Sequence, residues 1–116
     1  MKKKDPSSQP YLRFFHSPEL RERTLLLLGE LEADEDPKRH GKALAELVLE
    51  LTAAGLEYYF VLPLRTAKAG FVAERSAKFG IASFLSVMGP VSRRILVGME
   101  APQLLAVTSH IRLLMA

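Results

Sequence analysis

Leu20, Leu27, Leu28 and Leu31, with Thr24 among them, recur at three- and four-residue steps and share one face of a helix. Ser17-Pro18-Glu19 supplies its start: a hydroxyl to cap, a proline at the first helical position and a carboxylate in the first turn. A helix is predicted from there to about Ala33. Asp34-Glu35-Asp36-Pro37 is a second start signal, so the next helix follows a short connection and runs antiparallel to the first.

The second helix poses a question at Gly55. At about 100° per residue, Arg39, Lys42, Glu46, Glu50 and Glu57 fall on one narrow stripe, and Glu57 stays in phase beyond the glycine. One long helix from Pro37 to about Leu62 follows, ended or kinked by Pro63. Apart from that stripe it is apolar, which predicts the central, most buried helix. A third helix is predicted from about Leu64 to Met88. Gly89-Pro90 should break the chain, leaving a short fourth helix over Val91–Val97. Gly98 to Pro102 reads as a stop and restart, with a hinge for the last helix as the less favoured alternative. The last helix places Leu104, Val107, Ile111, Leu114 and Met115 on one side. No credible strand pair or hairpin dipeptide is present. The expectation is an all-α domain, a small bundle of four or five helices over residues 17–116. A flexible basic and polar tail over residues 1–16 should precede it, although Tyr11, Leu12, Phe14 and Phe15 could pack onto the body.

Composition narrows the possibilities. The chain has 116 residues, 48% of them hydrophobic, enough to fill a single core and to exclude disorder of the whole chain. Zero cysteines exclude a disulfide framework, a thiol nucleophile and cysteine-ligated zinc, and they fit a reducing compartment. Lys2, Lys3 and Lys4 are followed by Asp5-Pro6-Ser7-Ser8, not by the apolar run of a signal peptide. The most apolar stretch, Leu47 to Leu64, is interrupted by Glu50 and Glu57. No transmembrane segment is therefore expected, and the expected location is cytoplasmic.

The net charge of +3 conceals a segregation. Residues 18–36 carry seven acids and two bases, whereas residues 63–98 carry six bases and one acid. Three arrangements account for this. The acidic first helix packs beside the basic third helix in one monomer, meets it across a dimer interface, or leaves the basic side to an anionic partner.

The third helix divides into two sides. Ala69, Gly70, Ala73, Ser76, Ala77 and Gly80, joined further on by Phe84 and Val87, form a small-residue side on which another helix axis could approach closely. Within it, Ala69, Ala73, Ala77 and Gly80 are the candidate packing or interface face. The other side carries Lys68, Arg75 and Lys78 with Phe71 and Phe79 between them. Joined by Arg65, Arg93 and Arg94, these residues are the candidate surface for anionic membrane headgroups or nucleic acid. In the plainer and favoured reading, both phenylalanines sit on the rim of the core beneath lysine and arginine stems.

Motifs that would carry chemistry fail on their details. Gly55 with Leu56, Val61 and Leu64 loosely fits a helix-turn-helix. Leu51 stands where a small residue is needed, however, and the reading helix would hold Tyr58, Tyr59, Phe60 and Pro63. His40-Gly41-Lys42 resembles a phosphorelay site only in having one histidine on a helix. His16, His40 and His110 lack zinc-site spacing, and no Glu-x-x-His motif or phosphate-binding loop occurs. No local signature supports a catalytic triad, and nothing singles out a pair such as His110 and Glu50. Met88, Met99 and Met115 read as core filler. No catalytic residue, metal or cofactor is expected. The expected function is a non-enzymatic interaction module acting through self-association or another protein, with binding to an anionic surface as the alternative.

Overall fold

In the computed structural model, which describes residues 14–115, every regular element is helical. Helix α1 spans Pro18–Ala33 and is capped as its sequence requires, the Leu20 amide donating to Ser17 Oγ at 3.1 Å. Leu20, Thr24, Leu28 and Leu31 are buried on its inner face, and the Thr24 hydroxyl donates to the Leu20 carbonyl at 2.7 Å. The link to the second helix is pinned by Asp34. Its Oδ1 accepts the Asp36 amide at 2.9 Å, and Oδ2 lies 2.8 Å from His40 Nε2. The backbone hydrogen bond, then the one from His40, holds the Asp34 carboxyl below its ordinary value.

A 3-10 turn, Pro37–His40, opens α2, Gly41–Leu56. The rod continues through Gly55 as the charged stripe predicts. It then widens into a π-helical segment, Glu57–Val61, and resumes as α3, Leu62–Thr66. It therefore outlasts its predicted end at Leu62. In a regular α-helix the Pro63 ring would strike the Tyr59 carbonyl and an amide donor would be missing. The π turn shifts the register there, with the Leu62 amide donating to Glu57 O, and the rod passes the proline.

After α3 the chain reverses through Lys68 at φ 53° and Gly70 at φ 104°, the left-handed region that favours glycine. Helix α4 then runs unbroken over Phe71–Val97. This corrects two expectations. Lys68, Ala69 and Gly70 form a turn and not the first turns of a helix, and Gly89-Pro90 does not break the chain. Pro90 is exposed, so the Ser86 carbonyl deprived of its partner can turn to water. Gly89 is buried, its missing Cβ 3.7 Å from Leu49 on α2, and Arg93 Nε donates to Glu46 Oε1 at 2.5 Å. The helix is thus held to α2 on both sides of the proline. Helix α5, Ala101–Leu114, begins with a reciprocal cap between Glu100 and Gln103.

The core lies at one end of this assembly. Leu28 and Leu31 of α1, Leu44 and Ala45 of α2, Leu96 of α4, and Leu104 and Ile111 of α5 form one buried cluster. Val107 and Met115 pack against it, but Leu114, expected on the same side, is exposed. From that end α2, the π segment and α3 run out antiparallel to α4 as a two-helix hairpin. The second helix is consequently not buried throughout: its fully buried residues stop at Leu47, except for Val61 in the π segment.

Two helices, Pro37–Thr66 and Phe71–Val97, are long and apolar enough to cross a membrane by length and composition alone. Of the predicted tail, residues 1–13 lie outside the described residues. Phe14 at its end does pack onto the body, half-buried with its ring centroid 6.3 Å from Tyr59 and 6.4 Å from Tyr58. Phe15 is exposed.

At Gly41 the helices approach closely: a Cβ there would lie 3.2 Å from the Leu96 carbonyl oxygen and 3.3 Å from Val97 Cα. Both are backbone atoms of the last turn of α4, with little freedom to retreat. Gly41→Ala should lower stability by about 1–2 kcal/mol through overpacking. Gly80→Ala, where a Cβ meets nothing within 4 Å, should raise it by about 0.5–1 kcal/mol. Thermal unfolding followed by circular dichroism checks the pair, and equal effects of one sign would contradict the packing described.

Candidate functional site

Helix α4 has a packed side and an open side. Its 27 residues give a rod of about 40 Å at 1.5 Å per residue, yet only Gly89 and Leu96 are buried. The inner side meets α2 and the π segment through half-buried residues such as Ala77, Ile81, Leu85 and Met88. The outer side follows steps of three and four residues through Val72, Ser76, Phe79, Ser83, Val87, Pro90 and Arg94, all exposed. Phe71 is 73% exposed, Val72 76%, Phe79 75% and Val87 68%. A shallow, open depression on the first two turns is lined by Phe71, Val72, Arg75, Ser76 and Phe79.

The predicted basic residues divide by what they touch. Arg65 lies on α3 and its Nε donates to Glu74 Oε1 at 3.1 Å. Arg93 is bound to Glu46, and that hydrogen bond holds the Glu46 carboxyl below its ordinary value. Both charges are thereby used within the hairpin. The Arg75 guanidinium carbon stands 5.8 Å from the centroid of the Phe71 ring. Among the described residues, Lys68, Arg75, Lys78 and Arg94 have no carboxylate partner within salt-bridge distance. Phe71, Arg75, Lys78 and Phe79 therefore gather around the start of α4, as the sequence suggested. Lys68 stands in the preceding turn, and Arg94 sits sixteen residues beyond Lys78, about 24 Å along the helix.

Three expectations change. Phe71 and Phe79 are not the covered rim of a core, because both are about three-quarters exposed. The acidic first helix does not neutralise α4 within the chain. Glu32 of α1 pairs with Arg112 of α5, Asp34 lies near His40 and Arg39, and no ion pair joins α1 to α4 among the described residues. The small-residue face is not one seam either: Ala69 precedes the helix, Ala73 and Ala77 are half-buried, and Gly80 faces open space.

Sequence reasoning missed the apolar breadth of the outer side, leaving out Val72 and Ile95 and assigning Val87 to the small-residue side. A signal was available. Phe79 to Ser92 is fourteen residues without a charge, bracketed by Lys78 and by Arg93 and Arg94. Among the described residues no three metal-ligating side chains converge. Comparison with known protein families, curated proteins and solved structures finds no match.

The Glu46–Arg93 bond joins α4 to α2, and its pH dependence follows from the lowered carboxyl. A carboxyl whose folded pKa lies below its unfolded one stabilises the fold above the ordinary carboxylate range. That contribution is lost as pH falls through the folded value. Urea unfolding between neutral and acid pH should show wild type losing more stability than Glu46→Gln on acidification, and parallel profiles would remove Glu46 from the seam.

Proposed function

We propose that this chain is a non-enzymatic helical association module, cytoplasmic, whose docking surface is the outer side of α4. One observation carries the reading. A 27-residue helix buries only Gly89 and Leu96 and leaves phenylalanine and valine side chains in water along its length. Contiguous apolar surface of this kind marks interaction sites in small proteins. A second copy or another protein is one class of occupant.

An anionic surface is the other, and a separate observation favours it: Lys68, Arg75, Lys78 and Arg94 lack carboxylate partners among the described residues. Glu32, Glu46 and Glu50 are instead bound to Arg112, Arg93 and Arg23.

The reading is tested without choosing an occupant. Folded wild type should bind an apolar fluorescent dye such as anilinonaphthalene sulfonate. Phe79→Glu with Val87→Glu should remove at least half of that signal while moving stability by no more than about 0.5 kcal/mol, as exposed positions do. Undiminished dye fluorescence in a folded double variant would show that the outer side of α4 is not the exposed apolar surface.

A further inference from the structure

We infer that the outer side of α4 lies in the plane of an anionic lipid bilayer, its apolar stripe in the acyl boundary and its free bases among the headgroup phosphates. This rests on the reading that the outer side of α4 is the docking surface, and it names the occupant. Val72, Phe79 and Val87 supply the inserted side, spaced along one line of the helix. Arg75, Lys78 and Arg94 lie toward its two ends, where long stems let charged groups reach the interface. The one carboxylate of α4, Glu74, is bound to Arg65. An apolar middle with cationic ends and no free acid complements a surface that is apolar inside and anionic at its boundary.

Charge decides against the other occupants. Two α4 helices packed antiparallel about Phe84 would set Arg75 of one copy near Arg94 of the other. Packed in parallel, each base would face its own equivalent. Like charges meet in both cases. Nucleic acid presents phosphates continuously, but the fourteen uncharged residues from Phe79 to Ser92 leave about 21 Å of helix with no base to answer them.

A spanning hairpin is disfavoured by the other helix. Pro37–Thr66 carries Glu46, Glu50 and Glu57 along its length, and Glu50 is tied to Arg23 of α1. Lying flat leaves those groups, and the core at the far end of the hairpin, in water.

The experiment is co-sedimentation of the full chain with vesicles of phosphatidylcholine alone and of equimolar phosphatidylcholine and phosphatidylglycerol. Wild type should bind the anionic vesicles, ignore the neutral ones, and be released by high salt or alkaline carbonate. The triple change Arg75→Gln, Lys78→Gln, Arg94→Gln should weaken binding on the order of 100-fold, at roughly fivefold per base. Phe79→Glu with Val87→Glu should abolish it.

Undiminished binding of either folded variant would overturn the proposal by assigning the attachment to another part of the chain. Resistance to carbonate would overturn it in favour of a spanning hairpin. Absence of binding to either vesicle would overturn it as well, and the dye measurement then separates the two claims. If Phe79→Glu with Val87→Glu still removes the dye signal, the docking surface stands and its occupant is a protein or a second copy. If that signal also persists, the docking surface falls too.

Discussion

A long helix with neighbours on one side only is the constraint on which this structure turns. Helix α4 is fastened to α2 where Gly89 admits Leu49, where Arg93 meets Glu46, and where Gly41 lets the last turn of α4 come close. Leu96 then plugs that last turn into the four-helix core. Those contacts fix one side of the helix and the end of it. Nothing in the described fold reaches across to the other side, so its phenylalanines and valines face solvent. Burying apolar area is the main favourable term in folding, at about 25 cal/mol per Å². A chain that leaves this much of it exposed retains a driving force for association.

The charge layout follows the same division. Glu32 of α1 holds Arg112 of α5, and Asp34 just after α1 orders the turn through His40 and the Asp36 amide. Glu46 and Glu50 of α2 take up Arg93 and Arg23. The bases on the outer side of α4 and in the turn before it face no such partner. The basic segment of the sequence thus becomes a cationic, apolar flank in space.

Much of the fold was legible because local chemistry acted alone. The cap at Ser17, the buried set Leu20, Thr24, Leu28 and Leu31, the continuity through Gly55 and the restart near Pro102 all depend on a few adjacent residues. The errors arose where tertiary contacts overrode local signals. Gly89-Pro90 reads as a break, but α2 holds α4 on both sides of it. Pro63 reads as an end or a kink, and the π turn carries the rod past it. Ala69 and Gly70 matched a helical face, while the chain needs Gly70 for a positive φ. The candidate site was half legible. Spacing grouped Phe71, Arg75, Lys78 and Phe79 correctly, but a helical wheel does not say which side a neighbour covers. Assuming a bundle that closes around every helix put those rings under cover.

The central claim is that the outer side of α4 is open in the free protein and covered when the protein is docked. The chain contains no cysteine, so a single Ser83→Cys change places one unique thiol at the middle of that side. The most direct measurement is its rate of reaction with a water-soluble thiol reagent, alone and with vesicles containing phosphatidylglycerol. The account predicts a rate near that of a thiol in an unfolded chain for the free protein, falling sharply when vesicles are added. A thiol already protected in the free protein, or equally reactive in both conditions, would contradict it.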